Sequence, residues 1–200
     1  EMPGTYSKGK FDIAGFSVGI VEKNNILSKS KIKNDDLVLG IPSSGVHSNG
    51  YSLIRYLLKK KRIKIKNNKF LKKELLKPTK IYVNEILNLN NKNYLNGCAN
   101  ITGGGLKDNI RRIIPKGLCA EINLSKIITL KIFNWLRNLG IADKEMLKTF
   151  NCGVGFCIVI NPKKLKIVRK YFPKNYKPYA IGKITNHNQR VKFSGKIDWK

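Results

Sequence analysis

Acidic residues are scarce: 12 Asp and Glu stand against 40 Lys and Arg, a formal charge of +28 at pH 7. The carboxylates at Asp35, Asp36, Asp108, Glu121, Asp143 and Glu145 fall at no spacing that makes a metal cage or an acid–base pair. Histidine is scarcer still, with His47 and His187 alone. The four cysteines, Cys98, Cys119, Cys152 and Cys157, include no C-x-x-C pair. Their spacing suits neither a zinc site nor a disulfide framework, and buried free thiols in a reducing compartment are expected. No apolar run reaches the roughly 18 residues of a membrane-spanning helix, and the first residues lack a signal peptide's order of charge then apolar stretch. The protein therefore reads as soluble and unexported. It also has no G-x-x-x-x-G-K-[ST] loop, so a nucleoside triphosphate would need another cradle.

What is present suffices for a folded domain. A hydrophobic fraction of 42% over 200 residues fills a sizeable core and argues against disorder. The positive charge raises nucleic acid as a partner, since clustered cations release counterions from phosphate backbones. Here the charge is spread along the chain, densest over residues 59–73, and is mostly Lys rather than the bidentate Arg. With Asn also abundant, compositional drift in an AT-rich coding sequence is the better reading, and a basic nucleic-acid-binding protein remains the alternative from another class. Either way the charge attracts anions and makes weak binding salt-sensitive.

Alternation predicts a strand over residues 16–22 and another apolar run over 36–42. The latter leads into Ser43, Ser44, Gly45, Val46, His47, Ser48, Asn49 and Gly50, a loop that opens a helix carrying Leu53, Ile54, Leu57 and Leu58. Residues 61–71 read as a solvated low-complexity loop. Pro78 suits the first turn of a helix bearing Ile81, Tyr82, Glu85, Ile86 and Leu89. A second small-residue loop, Thr102, Gly103, Gly104 and Gly105, feeds a helix with Leu106, Ile110, Ile113 and Ile114. Beyond it the pattern gives a strand at 118–122, helices at 132–139 and 142–150, a buried strand at 153–160, a basic helix at 165–172 and closing strands at 179–184 and 190–193. This order predicts a layered α/β sandwich with a mixed sheet, and the polar run 28–33 marks a domain boundary.

Two small-residue loops, each feeding a helix amino terminus, suit an anion, because the first helical turn has unpaired N–H groups and partial positive charge. His47 lies among Ser43, Ser44, Ser48 and Asn49. There it can serve a phosphate or move a proton near neutral pH, or simply cap the helix, and the sequence leaves both open. His187, between two asparagines in a turn, reads as inert surface.

Read together, several motifs resemble the aminoimidazole ribonucleotide synthetase family, also called phosphoribosylformylglycinamidine cyclo-ligase. They are Glu1-Met2-Pro3-Gly4, Ala14-Gly15-Phe16 with Val18-Gly19-Ile20-Val21-Glu22-Lys23, residues 43–53, Pro78-Thr79-Lys80-Ile81-Tyr82-Val83, residues 101–110, Ile132-Phe133-Asn134-Trp135-Leu136 and residues 145–155. Their order matches the family over nearly the whole chain. The resemblance implies a three-layer α/β/α sandwich over residues 31–200, preceded at 1–27 by the last strand of an amino-terminal ATP-binding and dimerisation domain. It implies a cytoplasmic, homodimeric ligase of purine biosynthesis that uses ATP and Mg2+, both mainly through that other half, so that the isolated chain is expected to be inactive. Another ATP-using member of the superfamily, such as a formylglycinamidine ribonucleotide synthetase, is the nearby alternative.

By matching position, the resemblance assigns His47 to proton transfer or charge stabilisation. It assigns Ser43, Ser44, Gly45, Ser48, Asn49, Gly50, Thr102, Gly103, Gly104, Gly105, Asn109 and Asn151 to substrate and phosphate, with Gly153 beside them and Glu1 on the ATP and magnesium side. One departure stands out: the family usually has His where this chain has Asn100. Asn can donate and accept but not titrate.

Overall fold

The computed structural model describes residues 15–199. Six strands form one sheet: β1 (Leu37–Pro42), β2 (Gly97–Asn100), β3 (Leu118–Asn123), β4 (Val154–Ile160), β5 (Tyr179–Asn186) and β6 (Val191–Ser194), in the order β2-β4-β1-β5-β3-β6. The pairings are antiparallel except β3 with β6, which makes the sheet mixed. β1 and β4 lie inside it, and their near-continuous apolar runs follow from burial on both faces. Side chains alternate across a strand. Val38, Cys157 and Val159 therefore face one core, while Leu39, Ile41, Ile158 and Ile160 face the other.

Helices cover both faces, giving three layers. On the first face lie α1 (Tyr51–Lys60), α2 (Lys69–Leu75), α4 (Gly105–Ile113), α5 (Lys131–Asn138) and α6 (Asp143–Thr149). They bury Ile54, Leu71, Leu106, Ile110, Phe133, Leu136 and Met146. On the second lie α3 (Val83–Asn91) and the short α7 (Leu165–Val168), through Leu89 and Val168. The cysteines are free, three of them buried, and Cys98 is half-buried. Burial pushes the thiols of Cys152 and Cys157 far above their ordinary value.

Three expectations need correction. Residues 16–22 form no strand. Phe16 is 94% exposed and Ile20 100% exposed, because none of the described strands pairs with this segment. Residues 69–75, expected in part as solvated loop, form α2. The Asn68 side chain caps it by accepting from the Leu71 N–H at 3.0 Å, and Leu71 and Leu75, one turn apart, are buried. Pro78 stands ahead of α3, which begins at Val83. The short strand β2 carries little apolar pattern and is defined by its register on β4.

Candidate functional site

Both small-residue loops lie at one end of the sheet. A bulge between Ile41 and Pro42 ends β1, and the Ser43 N–H then donates to Gly153 O at 2.9 Å, joining the first loop to the start of β4. The second loop leaves β2 next door, where the Ile101 N–H donates to Gly155 O. The two loops approach closely: a Cβ built on Gly103 would lie 3.9 Å from Asn49 Oδ1.

Each loop opens its helix in the same way. Gly50 (φ 78) and Gly104 (φ 90) are the N-caps of α1 and α4, both in the left-handed region that glycine enters without strain, and neither helix has a side-chain cap. The first-turn N–H groups and the positive ends of two helices thus face the same end of the molecule.

Two buried asparagines shape these loops from beneath. Asn151, 1% exposed, donates from Nδ2 to Gly45 O at 2.9 Å and Val46 O at 3.2 Å, and its Oδ1 accepts from the Gly153 N–H at 2.9 Å. Asn109, 3% exposed, shares its Nδ2 among the carbonyls of Thr102, Gly103 and Gly105, while its Oδ1 accepts from the Thr102 hydroxyl. Asn109 and Asn151 thus have their side-chain donors spent on loop carbonyls.

The remaining expected residues divide by depth. Ser43, Gly45, His47 and Gly105 are buried, Ser44, Asn49, Gly50, Thr102 and Gly104 half-buried, and Ser48 and Gly103 exposed. Ser43 Oγ is buried without a hydrogen-bond partner. Ser44 Oγ donates to Pro78 O at 2.8 Å and accepts from the Lys80 N–H at 3.2 Å, while Ser48 Oγ meets Thr79 Oγ1 at 3.2 Å. Residues 78–80 are therefore bound to the first loop. Glu1 lies outside the described residues.

Two grooves open here and share Thr79. The larger, about 640 Å³, is lined by His47, Ser48, Asn49, Arg55, Lys77 and Thr79 among others. The smaller, about 310 Å³, is walled by Lys80, Tyr82, Asn100 and Phe156. No carboxylate lines either one among the described residues. Lys77 is paired with Glu74 at 2.7 Å and Lys80 with Glu85 at 2.8 Å, and the Lys80 ammonium also lies over the Tyr82 and Tyr176 rings. Burial keeps the Tyr82 hydroxyl protonated well above the ordinary tyrosine range, and it donates to Pro42 O at 2.8 Å. Burial also holds the His47 imidazole below its ordinary value, and its Nε2 accepts from the Ser44 N–H at 3.2 Å. At the first loop the groove combines the α1 helix start, hydroxyl and amide side chains and Arg55, a setting suited to a phosphorylated ligand, whereas at the second loop the Asp108 carboxylate lies beside Gly104.

Arg55, Lys77, Thr79, Lys80 and Tyr82 were not among the residues expected at the site. For Thr79, Lys80 and Tyr82 the signal was the stretch Pro78 to Val83, which matches a family motif yet shows only a helix-start pattern in its residues; Arg55 and Lys77 carried none.

Residues 33–193 match the family described as AIR synthase related protein, C-terminal domain. The chain belongs to that family. It is 43% identical over 192 residues to the phosphoribosylformylglycinamidine cyclo-ligase of Clostridium tetani, covering 96% of this chain and 58% of that relative's length. It is 42% identical over 210 residues to the bifunctional purine biosynthetic protein purD of Dictyostelium discoideum, covering 100% of this chain and 26% of that protein. Among solved structures it resembles the thiamine-monophosphate kinase of Stenotrophomonas maltophilia (TM-score 0.60, 13% identity, 89% of this chain and 56% of that one). It also resembles T. maritima PurL complexed with FGAR (TM-score 0.53, 13% identity, 86% and 27%). These two likenesses establish a shared fold.

Proposed function

We propose that this AIR synthase domain forms the ribonucleotide-facing part of a phosphoribosylformylglycinamidine cyclo-ligase, acting in the cytoplasm as a homodimer when complete. In the proposed reaction ATP activates the amide oxygen of formylglycinamidine ribonucleotide, an amine of the same molecule closes the imidazole ring, and ADP and phosphate leave. The observation that carries this reading is the close approach of the two glycine-headed loops, Asn49 of one against Gly103 of the other, beside a groove at the first loop that no carboxylate lines among the described residues.

Within it, backbone donors around Gly50, Gly103 and Gly104 hold phosphate oxygens, supported by Arg55 and Lys77, while Ser48, Asn49 and Thr79 orient the sugar. Ser43, Ser44, Gly45, Thr102, Gly105, Asn109 and Asn151 fix the loops. The helix starts fit phosphate, including that of ATP. Among the described residues no group of three or more His, Cys, Asp or Glu is placed to hold a metal ion; Mg2+ is proposed to be held mainly by the amino-terminal domain. Residues 1–27 are proposed to belong with that domain, consistent with the exposed apolar side chains of Phe16, Val18 and Ile20.

The test joins residues 1–200 to the amino-terminal half of the Clostridium tetani relative and follows ADP release together with imidazole formation. ATP-dependent ring closure is expected, and its absence in a folded assembly overturns the reading. In the same assembly Asn100→His should raise turnover, by up to the order of 10²- to 10⁴-fold that an acid–base group contributes.

A further inference from the structure

The two ring nitrogens of His47 have different surroundings, and the difference decides what the ring can do. The Ser44 backbone N–H donates to Nε2 at 3.2 Å, so Nε2 presents its lone pair and the proton of the neutral ring sits on Nδ1. A second proton would set an N–H against the Ser44 N–H, inside a residue that is 5% exposed. The fold gives the ring little freedom to turn away. His47 stands at φ 60, its Cε1 packs against Gly155, and the Tyr82 ring centre is 6.2 Å from its own.

Among the described residues that line the groove with His47, none carries a negative charge that would favour an imidazolium. Tyr82, packed against it from the segment before α3, stays protonated. Arg55 and Lys77 line the same groove as cations, and the carboxylate of Glu74 is taken by Lys77. The depressed affinity of His47 for a proton agrees with this geometry. Meanwhile Nδ1 finds no acceptor among the described residues, and His47 is one of the residues that line the groove.

We propose that His47 is a fixed, neutral hydrogen-bond donor that offers its Nδ1–H to an oxygen of the bound ligand, and that it does not carry a proton during the reaction. The identity of that ligand rests on the cyclo-ligase reading; the tautomer follows from the fold alone.

Because the sequence has two histidines, long-range 1H–15N spectra of residues 1–200 resolve both. His47 should show a protonated Nδ1 and a bare Nε2, and should be less than half protonated at pH 6.5, the ordinary histidine value. His187, whose Nδ1 accepts from the Gln189 N–H at 2.9 Å, should show the opposite tautomer and serve as the internal reference. Inorganic phosphate is the ligand probe, and its addition should shift the His47 Nδ1–H resonance more than any His187 resonance. An Nε2–H tautomer, a protonation midpoint at or above pH 6.5, or a His47 signal blind to phosphate overturns the proposal. In the joined enzyme, His47→Asn keeps a side-chain donor, so its pH–rate profile should retain both limbs of the wild-type profile. Loss of a limb would identify His47 as a proton carrier and also overturn the proposal. If the spectra come out as expected while the wild-type assembly never closes a ring, the cyclo-ligase reading fails and the tautomer stands.

Discussion

At the scale of single residues, His47 links the site to stability. Its folded-state pKa lies below its unfolded value of 6.5, so the unfolded chain binds the proton more readily. The stabilisation from the neutral ring is therefore complete well above pH 6.5 and is lost as pH falls through that value towards the folded pKa. Chemical denaturation of residues 1–200 should give a midpoint that declines on acidification from pH 7.5 to about 5, and His47→Asn should flatten part of that decline. An unchanged slope in the variant would mean that other groups set the dependence. His47 also shows the reach of sequence reading. Its place in a loop of serines marked it as a functional candidate, but the choice between acid–base chemistry and hydrogen bonding rests on one backbone N–H, which no spacing reveals.

At the scale of elements, the loops depend on asparagines beneath them. Asn109→Ala should leave the carbonyls of Thr102, Gly103 and Gly105 short of a buried donor, costing about 1–3 kcal/mol and weakening phosphate binding. Equilibrium unfolding beside phosphate titration checks both effects, and a variant of unchanged stability would contradict the supporting role. The helices α1, α4, α5 and α6 and the strands β1, β3 and β4 were legible because their apolar periods and their Gly or Pro punctuation agree. α2 was hidden by its lysines: only Leu71 and Leu75 face the core, and their spacing drowns in a basic run. β2 was hidden because Gly97, Cys98, Ala99 and Asn100 have little intrinsic preference and take their form from β4. The opposite error, a strand expected over residues 16–22, arose because alternation signals a face that must be covered and says nothing of which segment covers it. The loop residues of the site were legible from their glycines, whereas Arg55, Lys77 and Lys80 were not, since lysine and arginine are too common here to single any out.

At the scale of the whole molecule, a chain of charge +28 carries a groove that no carboxylate lines among the described residues. Long-range attraction of phosphate should be strong in dilute buffer and screened over roughly 8 Å at physiological ionic strength. Phosphate affinity, read by calorimetry, should accordingly fall as KCl rises from about 0.02 to 0.2 M, while direct helix-start contacts preserve measurable binding at the upper end. Complete loss there would assign the affinity to diffuse charge and deprive the two loops of their proposed part.

The Asn151 amide closes its bonds on Gly45 and Val46 across more than a hundred residues of intervening chain. A peptide copied from the first loop would therefore not keep its shape. During refolding, the ligand-gripping conformation can arise only once the strand that follows Asn151 has docked beside the one that precedes the loop. Competence to bind should then appear with the docking of these two central strands and be lost with them on heating, making phosphate capture a gauge of whether the middle of the sheet is intact.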